Sequence, residues 1–162
     1  MEVVRQPAST SGGPRSTMKY FDFDEIAKEI AKQSDDTTAI VSGRNKVIDQ
    51  EFPKAVKKAG FQLLKPGTAF DLSNVPEATV VGVELWSNLD LCGLDSLANR
   101  ISAKNLSVFV FDIDEWSNAG ELDRVISGIS PRRTPVFIRY RYGQMVEALE
   151  GPDALARMNQ ID

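Results

Sequence analysis

The chain has 162 residues, a net charge of −4, 42% hydrophobic and 26% charged residues, which suits one packed domain with an appended element rather than a disordered chain. It has no histidine and one cysteine, Cys92, so an internal disulfide, a cysteine-built zinc site and every Ser-His or Cys-His mechanism are excluded. Weak acidity also argues against neutralising a phosphate backbone, so nucleic acid is not an expected partner.

Residues 1–17, MEVVRQPASTSGGPRST, are rich in Ser, Thr, Gly and Pro and read as a flexible arm. Residues 22–33, DFDEIAKEIAKQ, predict an amphipathic helix with Ile26, Ala27 and Ile30 on one face and Asp22 or Asp24 as its cap. The β-branched run Thr37–Ser42 predicts a short strand broken by Gly43. Residues 49–59 predict a helix with Pro53 in its first turn, ended by Gly60. Residues 18–66 thus read as a helix-strand-helix extension.

From residue 67 onward the pattern is regular. Thr79–Trp86 predicts a buried strand, 93–103 a helix with Leu94, Leu97, Ala98 and Ile101 on one face, and Leu106–Ile113 a second buried strand. A helix over 118–127 follows, then a strand over Pro135–Tyr142, a turn at Gly143, a strand over Gln144–Leu149, and a last helix opened by Gly151-Pro152. Strand-helix-strand steps require parallel pairing, and the tight turn requires an antiparallel pair. The expected fold is α/β, a mixed sheet flanked by helices.

That order, with the residues that punctuate it, resembles the thioredoxin-like superfamily over about residues 79–159. Val83-Glu84-Leu85-Trp86 is similar to the strand that leads into the family's active-site loop, and Phe111-Asp112-Ile113-Asp114 to the end of the next strand. Thr134-Pro135 stands where the family has its cis-proline. Gly143 lies eight residues after Pro135, and Gly151 eight after Gly143, at the family's hairpin and pre-helix glycines. The resemblance implies a three-layer thioredoxin-like fold. It breaks at the centre, where the family has two cysteines. Aligned without a gap, those cysteines fall on Asp90 and Gly93. With a two-residue insertion, Cys92 keeps the first place and Asp95 takes the second.

No dithiol cycle is therefore expected, and no cofactor or metal. The resemblance makes Asp112 and Asp114 a strand end and helix cap rather than a cation site. If the chain were redox-active, Cys92 would act with Glu84 and Pro135, the counterparts of the family's proton-transfer acid and cis-proline. Asp90 and Asp95 beside Cys92 disfavour its thiolate. The resemblance also implies a surface that takes an extended peptide by strand addition at the cis-proline. Trp86, Leu89, Leu91, Cys92, Leu94, Thr134 and Pro135 would line it. The leading expectation is a non-catalytic module that binds another protein, as a subunit or accessory factor of a larger assembly. The alternatives are a monothiol oxidoreductase or thiol sensor using Cys92, and a structural component of a virion or membrane complex.

Arg132, Arg133, Arg139 and Arg141 form the one basic cluster. Arg139 and Arg141 share a strand face and read as a charge-guarded sheet edge rather than a nucleic-acid patch. Asp112, Asp114, Glu115, Glu121 and Asp123 are their expected partners. No stretch is apolar enough to span a membrane and no apolar leader opens the chain. An intracellular, non-secreted protein without membrane insertion is expected.

Overall fold

The computed structural model describes residues 18–33, 37–101, 107–126 and 132–160, with backbone alone for residues 37–45. The arm expected over residues 1–17 lies outside the described residues.

Helix α1, Phe23–Ala31, starts where the Asp22 carboxylate accepts the Glu25 N–H at 3.3 Å, a standard side-chain cap. Its buried stripe is Phe23 and Ala27, while Ile26 and Ile30 are 42% and 37% exposed. The expected isoleucine face therefore points outward. The larger Phe23 takes the inward position because it joins an aromatic cluster with Phe21, which also meets Phe52 and Phe61.

Helix α2 runs unbroken from Thr37 to Lys58, so the strand expected over Thr37–Ser42 is helical instead. The cause lies downstream. Val47, Ile48, Phe52, Ala55 and Val56 are all buried at helical spacing, and this stripe, which begins ahead of the expected start at residue 49, anchors the helix. Extending an existing helix is far cheaper than starting one, so the β-branched residues and Gly43 are carried along. Pro53 sits inside the helix and forgoes one backbone hydrogen bond.

Strand β1, Gln62–Leu63, β2, Ala78–Val83, and β3, Ser107–Asp112, lie side by side with β3 in the middle, all parallel. Helix α3, Asn88–Ile101, makes the crossover from β2 to β3. Strand β4, Val136–Arg141, runs antiparallel to β2 and leads through a tight turn into β5, Gln144–Glu150. The order is β1-β3-β2-β4-β5. Tyr142 and Gly143 at the turn have φ of 48° and 78°, the left-handed pair that a two-residue hairpin needs. Helix α6, Pro152–Gln160, closes the chain.

Between β3 and β4 the expected single helix over 118–127 is two short ones, α4, Ile113–Asn118, and α5, Leu122–Val125. Gly120, with φ of 71°, divides them in a conformation that a helix interior does not accept. The Asp112 carboxylate caps α4 by accepting the Asp114 N–H at 3.0 Å, as expected.

Strands β2, β3 and β4 are buried on both faces, whereas β5 is largely exposed. Val81 and Val83 of β2, Val108 and Val110 of β3 and Phe137 of β4 face the core shared with α1, α2, α3 and α6. Ala78, Val80, Phe111, Val136, Ile138 and Tyr140 face the other core with α4, α5 and Trp116. Both cores follow the two-residue alternation of strands. Segment 18–21 is tied to α3. Asp95 Oδ1 accepts the N–H groups of Tyr20 and Phe21 at 2.7 and 3.2 Å, and Asn99 bonds Met18 in both directions.

Candidate functional site

The carboxyl end of β2 delivers Glu84 to a turn that α3 follows. Strand β2 ends at Val83, so Glu84 and Trp86 belong to the turn and not to the strand expected there. The turn closes with Ser87 N–H donating to the Glu84 carbonyl at 3.0 Å. In the first turn of α3, Asp90 folds back on it. The Asp90 Oδ2 accepts the Glu84 N–H at 2.9 Å, and its own N–H donates to Ser87 Oγ at 3.3 Å. On the other side, the Thr134–Pro135 peptide bond is cis. Thr134 Oγ1 donates to Glu84 Oε1 at 3.0 Å and also meets the Asp90 carboxyl.

Asp90 is 1% exposed, and burial pushes its carboxyl above the ordinary range, against the pull of hydrogen bonds from Glu84, Thr134 and Ser87.

Asp90 and Cys92, the two candidates for the place of the first family cysteine, have different surroundings. Asp90 stands beside the residue before the cis-proline, where the gap-free alignment puts the first thiol. Cys92 is exposed and lies elsewhere, in a hollow of about 130 Å³ shared with Lys19, Asp22, Leu91 and Asp95. Asp95, whose carboxyl burial also raises, holds the N-terminal segment. Neither member of the Cys92–Asp95 pair reaches Thr134 in the described contacts.

The seven residues expected to line a partner surface divide. Trp86 and Leu89 are 65% and 69% exposed. The Trp86 indole Nε1 donates to Asp114 Oδ2 at 3.2 Å, which ties the turn after β2 to the start of α4. Thr134 is half-buried and Pro135 buried. Leu91 and Leu94 are buried at 2% and 0%, because that side of α3 faces the sheet and α6. They are core residues, so the expected leucine-rich loop narrows to Trp86 and Leu89. Asp90, Ser87 and Asp114 were not among the expected site residues. The gap-free alignment was the one sequence signal for Asp90.

Two of the four arginines, Arg139 and Arg141, are held by carboxylates other than those expected. Glu77 pairs with Arg139 and Arg141, and Glu147 with Arg139 and Arg157. Strand β4 is interior, since β5 forms the edge, so these side chains do not guard a sheet edge. Among the described residues no helix is long and apolar enough to cross a membrane.

These features define a thioredoxin-like fold: the strand order, the cis-proline and the helix that starts beside it. No family model matches the chain, and no curated protein matches it. A solved protein described as a candidate oxidoreductase with a thioredoxin fold is similar over 65% of this chain and 98% of its own, at 10% identity and a TM-score of 0.50. At that identity the likeness concerns the fold alone. Human ERp44 in its zinc-bound form matches 61% of this chain and 29% of its own, at 17% identity and a TM-score of 0.43.

Proposed function

We propose that the chain is a non-catalytic thioredoxin-like module that binds another protein, as a subunit or accessory factor of a larger assembly. The observation that carries this reading is the pairing at one end of the sheet. On the gap-free alignment buried Asp90 takes the place of the first family thiol, and Trp86 and Leu89 stand exposed in the same turn and helix start. A buried aspartate cannot run thiol exchange. Two large exposed apolar side chains next to a cis-proline loop suit a docking face. Tryptophan is among the residues that most often dominate binding energy, with losses of about 2 kcal/mol or more on truncation.

The test is affinity capture from the native source with the wild-type chain and a Trp86→Ala/Leu89→Ala variant. The proposal expects one partner captured by the wild type and lost with the variant, by at least roughly thirtyfold in apparent affinity. Equal capture by both removes this face from the account.

A thiol reading keeps one favourable observation, the exposure of Cys92. It requires a thiol pKa well below the free value of about 8.5, measured by alkylation rate against pH. An ordinary or raised value ends it.

A further inference from the structure

The docking face has a sign. Around Trp86 the turn after β2 brings Glu84, and the end of β3 with the start of α4 brings Asp112, Asp114 and Glu115. Glu115 is committed to Lys65 at 3.1 Å, Glu84 accepts from Thr134, and Asp112 caps α4. Asp114 is different. It is exposed, and one of its oxygens holds the Trp86 indole N–H. The other oxygen of an ionised carboxylate remains an acceptor. Lys65 is already paired with Glu115, and no ion pair of Asp114 with a cation is seen among the described residues.

The Trp86 ring is therefore an exposed π surface with a carboxylate fixed at its edge. A guanidinium or ammonium over an indole face gains from the ring quadrupole. From there it can also reach Asp114. Arginine fits best, because its planar group stacks on aromatics and bonds carboxylates.

We infer that the Trp86 end of this face takes a basic side chain, arginine above lysine, from an extended peptide segment of the partner. This rests on the docking face proposed above and names the chemistry of what docks there. An acidic or neutral segment lacks the second contact and meets repulsion or nothing from Asp114 and Asp112.

The chain contains two tryptophans, so its indole N–H groups give two separable NMR signals. Trp116 is 0% exposed and its Nε1 donates to the Leu64 carbonyl at 3.2 Å, which makes it an internal control. The ¹⁵N-labelled full chain is titrated with three blocked pentapeptides, Leu-Val-Arg-Val-Leu and its serine and glutamate counterparts. The arginine peptide is expected to shift the Trp86 signal at about tenfold lower concentration than the serine peptide. The glutamate peptide should act more weakly still, and Trp116 should not move. Asp114→Asn should bring the arginine peptide to the serine level. If the arginine and serine peptides act alike on Trp86, peptide docking stands and the charge preference is overturned. If none moves Trp86 at millimolar concentration, the docking face falls and this inference falls with it.

Discussion

Leu89 and Leu94 lie on the same helix, α3, with opposite surroundings, and a pair of alanine substitutions separates folding from binding. Leu94 is 0% exposed and packs with Leu91, Leu97, Ala154 and Met158 in the core shared by α3 and α6. Truncating it removes buried carbon and leaves a cavity that the rigid sheet cannot close, at a cost of about 2–5 kcal/mol. For a chain of this size each kcal/mol lowers Tm by about 2–4 °C, so Leu94→Ala should lose roughly 4–20 °C. Leu89 is 69% exposed, and Leu89→Ala should stay within about ±0.5 kcal/mol of the wild type. Thermal and urea unfolding followed by far-ultraviolet circular dichroism measures both. Below its own transition, Leu94→Ala should still bind the partner that Leu89→Ala binds poorly. Equal midpoints, or a larger loss for Leu89→Ala, would refute the reasoning, because α3 would then present a different side to the sheet.

Asp90→Asn probes the buried carboxyl. Burial raises its folded pKa above the ordinary 3.8, so the folded state holds the proton more tightly than the unfolded state. The stability this contributes is full below that value and is lost as pH rises through the folded pKa. Asp95 and Asp112, also raised chiefly by burial, add slope of the same sign, so the informative quantity is the wild-type minus Asp90→Asn difference in urea midpoint. It should fall as pH rises from 3.8, and a flat difference would contradict the assignment. Asp95→Ala leaves the Tyr20 and Phe21 N–H groups without their acceptor, at about 1–3 kcal/mol. Those two amides should then exchange hydrogen faster, and unchanged rates would count against the clamp. Gly82→Ala places a Cβ 2.9 Å from Phe111 Cε1 and 3.0 Å from Ile113 Cγ1, an overpacking that costs about 1–3 kcal/mol. An unchanged urea midpoint would show that the strands are less tightly packed than described.

Four of the five strands of the central sheet were legible because they announce themselves, while the two-residue β1, Gln62–Leu63, carries no strand signal of its own. Ala78–Val83 and Ser107–Asp112 are apolar runs with β-branched residues, as strands buried on both faces should be. Tyr142-Gly143 marks its hairpin by backbone chemistry alone. The N-terminal region was not legible in the same way. Thr37–Ser42 has strand-like composition, yet it belongs to a helix whose buried stripe begins later, and a local reading does not register that pull. In α1 the apolar residues Phe23, Ile26, Ala27 and Ile30 offer two overlapping faces. The aromatic cluster around Phe21 chooses between them, and that cluster exists only in three dimensions.

The site was half legible, for a related reason. The order of strand, turn, helix and proline located it, but spacing alone left the turn with two alignments. One of them put a thiol at the centre. The Glu84 N–H that donates to the Asp90 carboxylate, the Asp90 N–H that donates to Ser87, and the burial of Asp90 fit the other. Leucine identity did not reveal direction either. Leu91 and Leu94 differ from Leu89 only by their angle around the helix, and the boundary of α3 had to be known to the residue to assign it.

The central claim is that this face works without sulfur chemistry, and Cys92→Ser tests it most directly. Capture of the native partner is compared for the wild type and Cys92→Ser in the presence of dithiothreitol. The account predicts the same partner at the same apparent affinity for both chains, since Cys92 faces the N-terminal segment and not Thr134. Loss of the partner with Cys92→Ser, from a variant that unfolds at the wild-type temperature, would contradict it and return the thiol to the centre of the function.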